Sequence, residues 1–400
     1  IGASTVAHGW SHYFQDFLKL VTNGSLVWPT QWGNAPLTFD ANTEAFGLSG
    51  HIVDIPALLI TAIVTAILVL GIRESAGFNA VMVILKVAIV LFVIAVGAFF
   101  INPANWSADF APFGYGGITL PFLSDGTGGS QPKGMLAGAA TIFFAYIGFD
   151  SISTHSEEAK NPQRDVPIGI ISSLLLCTVL YILVSGVLTG MLPYNRINID
   201  APVSDAFAQR GITFAAILIS AGAIAGITSV LLVMMLSQPR VLLAMARDGL
   251  LPESFFGAVH PRFRTPWKST ILTGLFVGTA AALLPLDILA DMVNIGTLLA
   301  FAMVCGAVLI MRKTNPNAAR PFRCPLVPFV PIAGIVTCLI LMLSLGVPNW
   351  TRLGVWLAIG LALYFLYGRY NSHLGKELRG EITTHGVSPA GMIKDDLKQP

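Results

Sequence analysis

The chain has 400 residues, of which 54% are hydrophobic and only 11% are charged. Soluble domains average about 25% charged residues, so most side chains of this protein cannot be exposed to water. The formal net charge is only +2, and the sequence has no basic cluster with interleaved aromatic residues, which argues against nucleic acid as a partner. The composition instead indicates a protein embedded in a lipid bilayer.

The apolar residues fall into ten segments of about the length that a helix needs to cross a bilayer, roughly 20 residues. The first segment is the least apolar, because His8, His12, Gln15, Asp16 and Lys19 interrupt it. We therefore expect an all-α polytopic membrane protein. The predicted limits of the segments are 1–22, 53–72, 78–101, 134–158, 166–191, 212–246, 268–285, 288–311, 327–347 and 353–370.

Lysine and arginine are distributed unequally between alternate loops. When Arg240, Lys268 and Arg369, near the ends of their spans, are counted with the adjacent loops and tail, seventeen of the 23 lie in one set of loops and the C-terminal tail and four lie in the other set. The remaining two, Lys19 and Lys86, are counted within spans. Cytoplasmic loops of membrane proteins carry the excess of these residues. We expect a multi-pass protein of the plasma membrane with a cytoplasmic C-terminus, consisting of a membrane domain over residues 1–375 and a polar cytoplasmic tail over residues 376–400.

The fourth segment contains a predicted break in its helix. Apolar residues run up to Phe144, Gly148 is unfavourable in a helix interior, and Asp150 is of a type that begins helices. Thr154 and Glu157 then have the spacing of a capping box. Unwound backbone at membrane depth lies inside protein or faces a watery cavity, and transporters bind substrates at such breaks. The alternative is that Gly148 only lets two helices pack closely and that Asp150 lies at the surface.

Lys86 lies near the middle of the third segment, between apolar residues. A lysine at the centre of a membrane helix costs roughly 2.5–3.5 kcal/mol on insertion scales, and such residues usually face a cavity on a proton or ion pathway. Desolvation favours the neutral form of a buried lysine, which would allow Lys86 to exchange a proton near neutral pH. The alternative is a structural hydrogen bond from Lys86 to backbone carbonyls.

No other group of residues predicts catalysis, a metal or a cofactor. His8 and His12 share one face of the first segment, but a metal site needs further ligands that the sequence does not reveal, so packing is favoured. Asp54 is interpreted as a solvated or capping residue at a helix start. The four cysteines form no CxxC pair, and the membrane segments contain no paired catalytic carboxylates and no nucleophile elbow. We therefore expect no metal, no cofactor and no enzymatic activity.

Three stretches of the sequence resemble known transporters. The stretch FFAYIGFDSISTHSEEAKNPQRDVPIGI (143–170) resembles the sixth helix and following loop of permeases of the cationic amino-acid transporter type. SQPRVLLAMARDGLLPESF (237–255) resembles the inner end of their eighth helix, and HPRFRTPWKSTILTG (260–274) resembles the loop into their ninth helix. These permeases belong to the amino acid–polyamine–organocation superfamily, and the resemblance extends over about residues 1–375.

The resemblance implies a LeuT-like fold of two inverted five-helix repeats plus two further helices. The ten segments then correspond to family helices three to twelve. The first two family helices, one of which holds the substrate carboxylate, are expected to be missing before Ile1. By the same resemblance, Ile147, Gly148 and Asp150 correspond to the wall that binds the substrate amino group. Phe144 corresponds to an aromatic gate above the substrate.

Two further positions follow from the same correspondence. Lys86 matches the lysine that proton-coupled members place where sodium-coupled relatives hold a cation. Met234, on the eighth family helix, would face the substrate side chain, and its bulk would favour small or mid-sized neutral substrates over arginine. Ordinary packing is the alternative for Met234.

Together these features predict a secondary active transporter that imports L-amino acids by proton symport and alternating access. The sequence has no GxxxxGK[ST] loop, which argues against ATP as the energy source. The expected partners are the amino acid, protons and the lipid bilayer, and the sequence leaves the oligomeric state open. The alternatives are an amino-acid or polyamine exchanger, a channel, and a non-transporting amino-acid sensor.

Overall fold

The computed structural model describes residues 1–40, 45–71, 76–106, 134–149, 161–317 and 322–379, together with residues 110, 152 and 320. Helices form almost all of the regular structure in these ranges. In chain order they are α1 (Gly2–Val21), α2 (Ile55–Leu70), α3 (Ala76–Gly97), α4 (Met135–Ile142), α5 (Pro162–Met191), α6 (Pro202–Gln209), α7 (Thr213–Arg247), α8 (Glu253–Phe256), α9 (Trp267–Leu283), α10 (Leu286–Thr314), α11 (Phe329–Leu343), α12 (Val347–Leu363), α13 (Arg369–Asn371) and α14 (His373–Leu378).

Within the described residues, five helical segments are long and apolar enough to cross a membrane, judged by length and composition. The most apolar stretch of α5 has no fully buried residue, so much of its apolar surface is not covered by the described part of the chain. An uncovered apolar surface of this kind suits lipid rather than water. Each of the ten predicted segments overlaps a described helix, although the count of ten spans remains a prediction. The five segments are Ala80–Phe100, Pro162–Met191, Thr213–Arg247, Leu286–Thr314 and Val347–Asn371.

The polar side chains that interrupt α1 face other helices rather than lipid. Asp16 Oδ2 accepts hydrogen bonds from the hydroxyls of Ser204 in α6 at 2.6 Å and Ser220 in α7 at 2.8 Å. Trp10 Nε1 donates to Thr228 Oγ1 in α7 at 2.9 Å. Polar residues in membrane segments ordinarily face the protein interior in this way. The low apolarity of α1 therefore reflects its central position against α7.

Small residues bring the central helices close together. A buried cluster joins α1, α2, α7 and α9, and alanine supplies four of its nine members. At Gly274 in α9, an added Cβ would collide with the Thr65 side chain of α2, so only glycine fits. Such small residues are typical of packing between membrane helices. The cluster consists of Ala3, Ala7, Ala57, Ile60, Val64, Leu231, Met235, Val277 and Ala281.

The segment before α2 contains one feature that the sequence did not predict, and the structure decides between the two roles predicted for Asp54. Strands β1 (Leu37–Asp40) and β2 (Ala45–Leu48) pair antiparallel, with Leu37 opposite Leu48, and were not predicted. Of the two roles considered for Asp54, the structure shows capping, because Asp54 Oδ1 accepts from Ala57 N at 3.1 Å. The Asp54 carboxylate is fully buried rather than solvated.

Candidate functional site

The helix that begins at Met135 ends where the sequence predicts a break. The α-helical part of α4 stops at Ile142 and continues as a 3₁₀ helix over Phe143–Tyr146. Ile147 is extended, with φ −64° and ψ 132°, and Gly148 has φ +126°. A positive φ of this kind is readily adopted only by glycine. The predicted second helix start, with Asp150 and the capping box of Thr154 and Glu157, lies outside the described residues.

Aromatic side chains fix the backbone on either side of this break. Tyr181 of α5 donates its hydroxyl to the carbonyl of Ala145 at 2.7 Å. The Tyr146 hydroxyl donates to Thr178 Oγ1 of α5 at 3.1 Å. Phe149 packs against Phe301 of α10, with ring centroids 5.2 Å apart. The break is therefore held between α5 and α10.

Phe144 and Asn294 also lie at this end of α4. Phe144, the predicted gate, is partly buried in the 3₁₀ helix. Asn294 of α10 is fully buried and donates from Nδ2 to the carbonyl of Thr141 at 2.8 Å. Asn294 Oδ1 makes no hydrogen bond within the described part of the chain. Sequence reasoning missed Asn294, although an amide in an otherwise apolar helix is the signal that would have found it.

Met234 of α7 packs beside Val293 of α10, whereas the break packs beside Asn294 and Phe301 of α10. An added Cβ at Gly2 in α1 would lie 3.7 Å from both Met234 Cε and Val293 Cγ1, so these three residues meet. Met234 also packs against the central cluster. Because Val293 and Asn294 are adjacent, α10 connects the helix of the break to the surroundings of Met234. The contacts described for Met234 are packing contacts with α1 and α10, and direct contact with Gly148 is not among them.

Lys86 lies on α3 and is partly buried. Its aliphatic stem runs along α7 at Gly226, where an added Cβ would lie 3.4 Å from Lys86 Cγ and 3.6 Å from Lys86 Cε. One turn earlier, a Cβ at Gly222 would collide with Ile89 of α3. The Gly-x-x-x-Gly spacing therefore lets α3 approach α7 closely. Sequence reasoning overlooked this pair, which positions the lysine against the same helix that carries Met234.

A small apolar cavity lies between the start of α1, α10 and α12. Its volume is about 250 Å³, and its lining is apolar apart from Arg352. None of the predicted site residues belongs to this lining. The lining residues are Ile1, Met292, Ile295, Gly296, Arg352, Leu353 and Trp356.

The sequence model of the amino acid permease family matches residues 26–365 of this chain. The chain belongs to the amino acid permease family. A methylthioribose transporter of Bacillus subtilis (strain 168) is 44% identical over 94% of this chain and 75% of its own length. The branched-chain amino acid permease BcaP of the same organism is 42% identical over the same shares of the two chains. The vacuolar cationic amino acid transporter 4 of Arabidopsis thaliana is 41% identical over 67% of this chain and 42% of its own.

Membership of the amino acid permease family confirms the resemblance found in the sequence. It identifies the chain as a multi-pass membrane transporter and not an enzyme. The long apolar helices are those expected of such a permease. The roles of Phe144, Ile147, Gly148, Asp150, Met234 and Lys86 remain predictions.

Proposed function

We propose that this permease is a secondary active transporter that imports neutral amino acids together with protons by alternating access. The observation that carries the proposal is the end of the helix at Ile147 and Gly148 within an apolar segment. Backbone that leaves a helix at membrane depth offers carbonyl and amide groups, and transporters use such groups to bind the charged ends of a substrate. Substrate and proton then act through their different affinities for the outward-open and inward-open states.

In this proposal Ile147, Gly148 and Asp150 bind the substrate amino group, and Phe144 closes over the substrate as an aromatic gate. The anchoring of the neighbouring residues by α5 and α10 supports the first part, because it holds the turn in one position. In a preorganised turn, less conformational entropy is lost when the substrate binds. The assignment of Asp150 rests on the sequence resemblance alone.

The preference for neutral substrates rests on Met234 and on one relative. Met234 carries no charge, and its thioether fills space beside α1 and α10. A site that binds arginine needs a partner for the guanidinium group, because an unpaired buried charge is costly. One of the relatives is a branched-chain amino acid permease, whose named substrates are uncharged in their side chains.

A second candidate substrate is methylthioribose, because a relative that is 44% identical to this chain is a methylthioribose transporter. This sugar carries a thioether and hydroxyl groups but neither an ammonium nor a carboxylate group. Its binding would therefore depend on hydrogen bonds to hydroxyls rather than on the amino-group wall. Separate uptake measurements with amino acids and with methylthioribose distinguish the candidates.

Uptake by the full-length protein in liposomes tests the proposed function. Labelled leucine, valine, alanine, arginine and methylthioribose are offered separately, with and without an inward proton gradient. We expect the gradient to drive accumulation of a neutral aliphatic amino acid, and a protonophore to abolish it. Uptake only when substrate is also present inside the liposomes would indicate an exchanger. Unsaturable uptake would indicate a channel, and binding without uptake would indicate a sensor; each result contradicts the proposal.

Met234→Ser is expected to widen the range of accepted substrates towards longer side chains, because it removes the bulk of the thioether. The measurement is the ratio of uptake rates for arginine and alanine in wild type and variant. A ratio that rises in the variant supports a substrate-facing Met234. Met235→Ser is the control, since Met235 is fully buried in the central cluster and is expected to affect stability rather than selectivity. Wild-type protein that already prefers arginine would contradict the neutral preference.

We further propose a LeuT-like inverted-repeat arrangement with ten of twelve family spans, in the plasma membrane. The membrane domain covers residues 1–375 and the cytoplasmic tail residues 376–400, of which 380–400 lie outside the described part of the chain. The support for this orientation is the unequal distribution of lysine and arginine between alternate loops.

Cysteine labelling in intact cells checks the orientation, in a background that lacks the four native cysteines. Ser25 and His373 are both exposed and lie outside the predicted spans, in segments predicted to face opposite sides. We expect an impermeant thiol reagent to label Ser25→Cys, and to label His373→Cys only after permeabilisation. The reverse pattern would contradict the predicted topology.

A further inference from the structure

Two histidines of α1 and the residue that caps α2 form a buried cluster. The rings of His8 and His12 lie one helical turn apart, with centroids separated by 4.6 Å. His8 and Asp54 are almost completely inaccessible to solvent, and His8 Nδ1 lies 2.9 Å from Asp54 Oδ2. One potential ligand atom from each of the three residues lies within 4.8 Å of the others. The fold therefore supplies the third ligand that the sequence did not reveal.

Two ligand-type atoms in this cluster lack a hydrogen bond. His12 Nδ1 and Asp54 Oδ2 are both buried, and neither has a hydrogen bond of acceptable geometry within the described residues. Each atom lies within ion-pair distance of a charged or titratable partner. His12 Nδ1 is 3.0 Å from Asp200 Oδ1, and Asp54 Oδ2 is 2.9 Å from His8 Nδ1. Buried polar atoms are almost always hydrogen-bonded or bound to an ion. These two atoms are the ones that a cation at this position would satisfy.

The cluster also has the outer hydrogen bonds that hold metal ligands in place. Asp54 Oδ1 accepts from Ser11 Oγ at 2.6 Å, and Gln15 Nε2 donates to that Ser11 oxygen at 3.0 Å. His8 Nδ1 lies 3.2 Å from the carbonyl of Ala281 in α9. Ligating carboxylates are commonly hydrogen-bonded in the way that Asp54 is. Because one ring nitrogen cannot both donate and bind a metal, a hydrogen bond from Nδ1 to Ala281 requires His8 to ligate through Nε2.

Two imidazoles and one carboxylate are a ligand set of Zn²⁺, which is usually four-coordinate in proteins. Imidazole nitrogen selects zinc and its neighbours among the transition metals over magnesium and calcium, which prefer oxygen. Asp200 lies beside His12 at the exposed edge, with 62% of its side chain accessible. Asp200 Oδ1 lies 3.0 Å from His12 Nδ1, so a carboxylate group lies at the entrance to the cluster. Asp200 or a water molecule would complete the coordination.

We infer that His8, His12 and Asp54 bind a divalent transition-metal ion of the zinc class, which joins α1 to the start of α2. This site lies apart from the substrate break and makes no use of the proposed proton coupling. Its test is therefore direct metal binding and does not depend on transport.

The experiment uses the purified full-length protein after treatment with a chelator, with Co²⁺ as the probe. Four-coordinate Co²⁺ gives strong visible absorption, and we expect one equivalent to produce it and Zn²⁺ to displace it. Asp54→Asn and His12→Gln should each weaken binding at least tenfold. Ser11→Ala, which removes only an outer hydrogen bond, should weaken it by about 10–100-fold. His51→Gln is the control, because His51 lies outside the cluster with Nδ1 bonded to the carbonyl of Thr30 at 2.7 Å.

Melting temperatures are measured with and without Zn²⁺. A variant that melts like the wild type without metal is folded, so its loss of metal binding is not a loss of folding. Zn²⁺ should raise the melting temperature of wild type and of His51→Gln, because a ligand stabilises the state that binds it. It should not raise that of His12→Gln, which lies at the edge of the cluster and is the variant least at risk of misfolding. Absence of the Co²⁺ absorption in wild type would overturn the proposal and leave a metal-free His–Asp pair. Absorption unchanged in His12→Gln would overturn it in favour of an adventitious surface site.

Discussion

In the full-length protein, Lys86→Ala is expected to retain substrate binding and to lose accumulation driven by a proton gradient. The reason is that a protonated Lys86 would stand in for a bound cation and connect α3 to the substrate-binding helices, whereas a neutral Lys86 would release them. The structure places the lysine stem against Gly226 of α7, the helix that also carries Met234. A change of charge at this contact can therefore alter how α3 and α7 pack.

Accumulation in liposomes, measured with and without a proton gradient, checks this prediction. The variant should take up substrate only to the level set by the substrate gradient itself, and passive exchange should survive. Lys19→Ala is a matched control, because Lys19 is an exposed lysine near the end of α1. Gly226→Leu provides a second test, since its side chain would displace the Lys86 stem without changing any charge. Accumulation by Lys86→Ala with unchanged pH dependence would show that Lys86 is structural.

Gly148→Leu is expected to abolish substrate binding while expression and folding largely persist. Gly148 has φ +126°, and a non-glycine residue in a sparsely populated backbone region costs of order 1–3 kcal/mol. No described atom lies within 4 Å of an added Cβ, so the effect comes from the backbone rather than from a collision. The turn that follows Ile147 would change shape, and the backbone groups proposed to bind the amino group would move with it.

Equilibrium binding of labelled substrate to purified variants measures this effect. Gly138→Leu is a close control, because Gly138 lies within α4 and an added Cβ there also meets no described atom within 4 Å. A leucine is favourable in a helix, so this variant should bind substrate as the wild type does. Wild-type affinity in Gly148→Leu would support the alternative that Gly148 only allows close helix packing.

The helices and the break were predictable because their signals are local. A run of apolar residues predicts a membrane helix wherever it occurs, and each predicted segment overlaps a described helix. Gly148 likewise marks the end of its helix by its own conformational freedom, which the observed φ reflects. The hairpin of β1 and β2 was missed, because two four-residue strands give too weak a periodic signal.

The partners of polar residues could not be predicted, because the contacting residues are far apart in the sequence. Ser11 and Asp54 are separated by 43 positions, and Asp16 and Ser220 by 204 positions. The sequence alone presented His8 and Asp54 as unrelated polar residues, one weakening a membrane segment and the other capping a helix. Local apolarity and glycine content thus determined the helices and the break in this permease. The packing of α1 against α2, α7 and α9 decided which polar groups meet. Polar groups that are shielded from water are costly unless they hydrogen-bond or pair with one another.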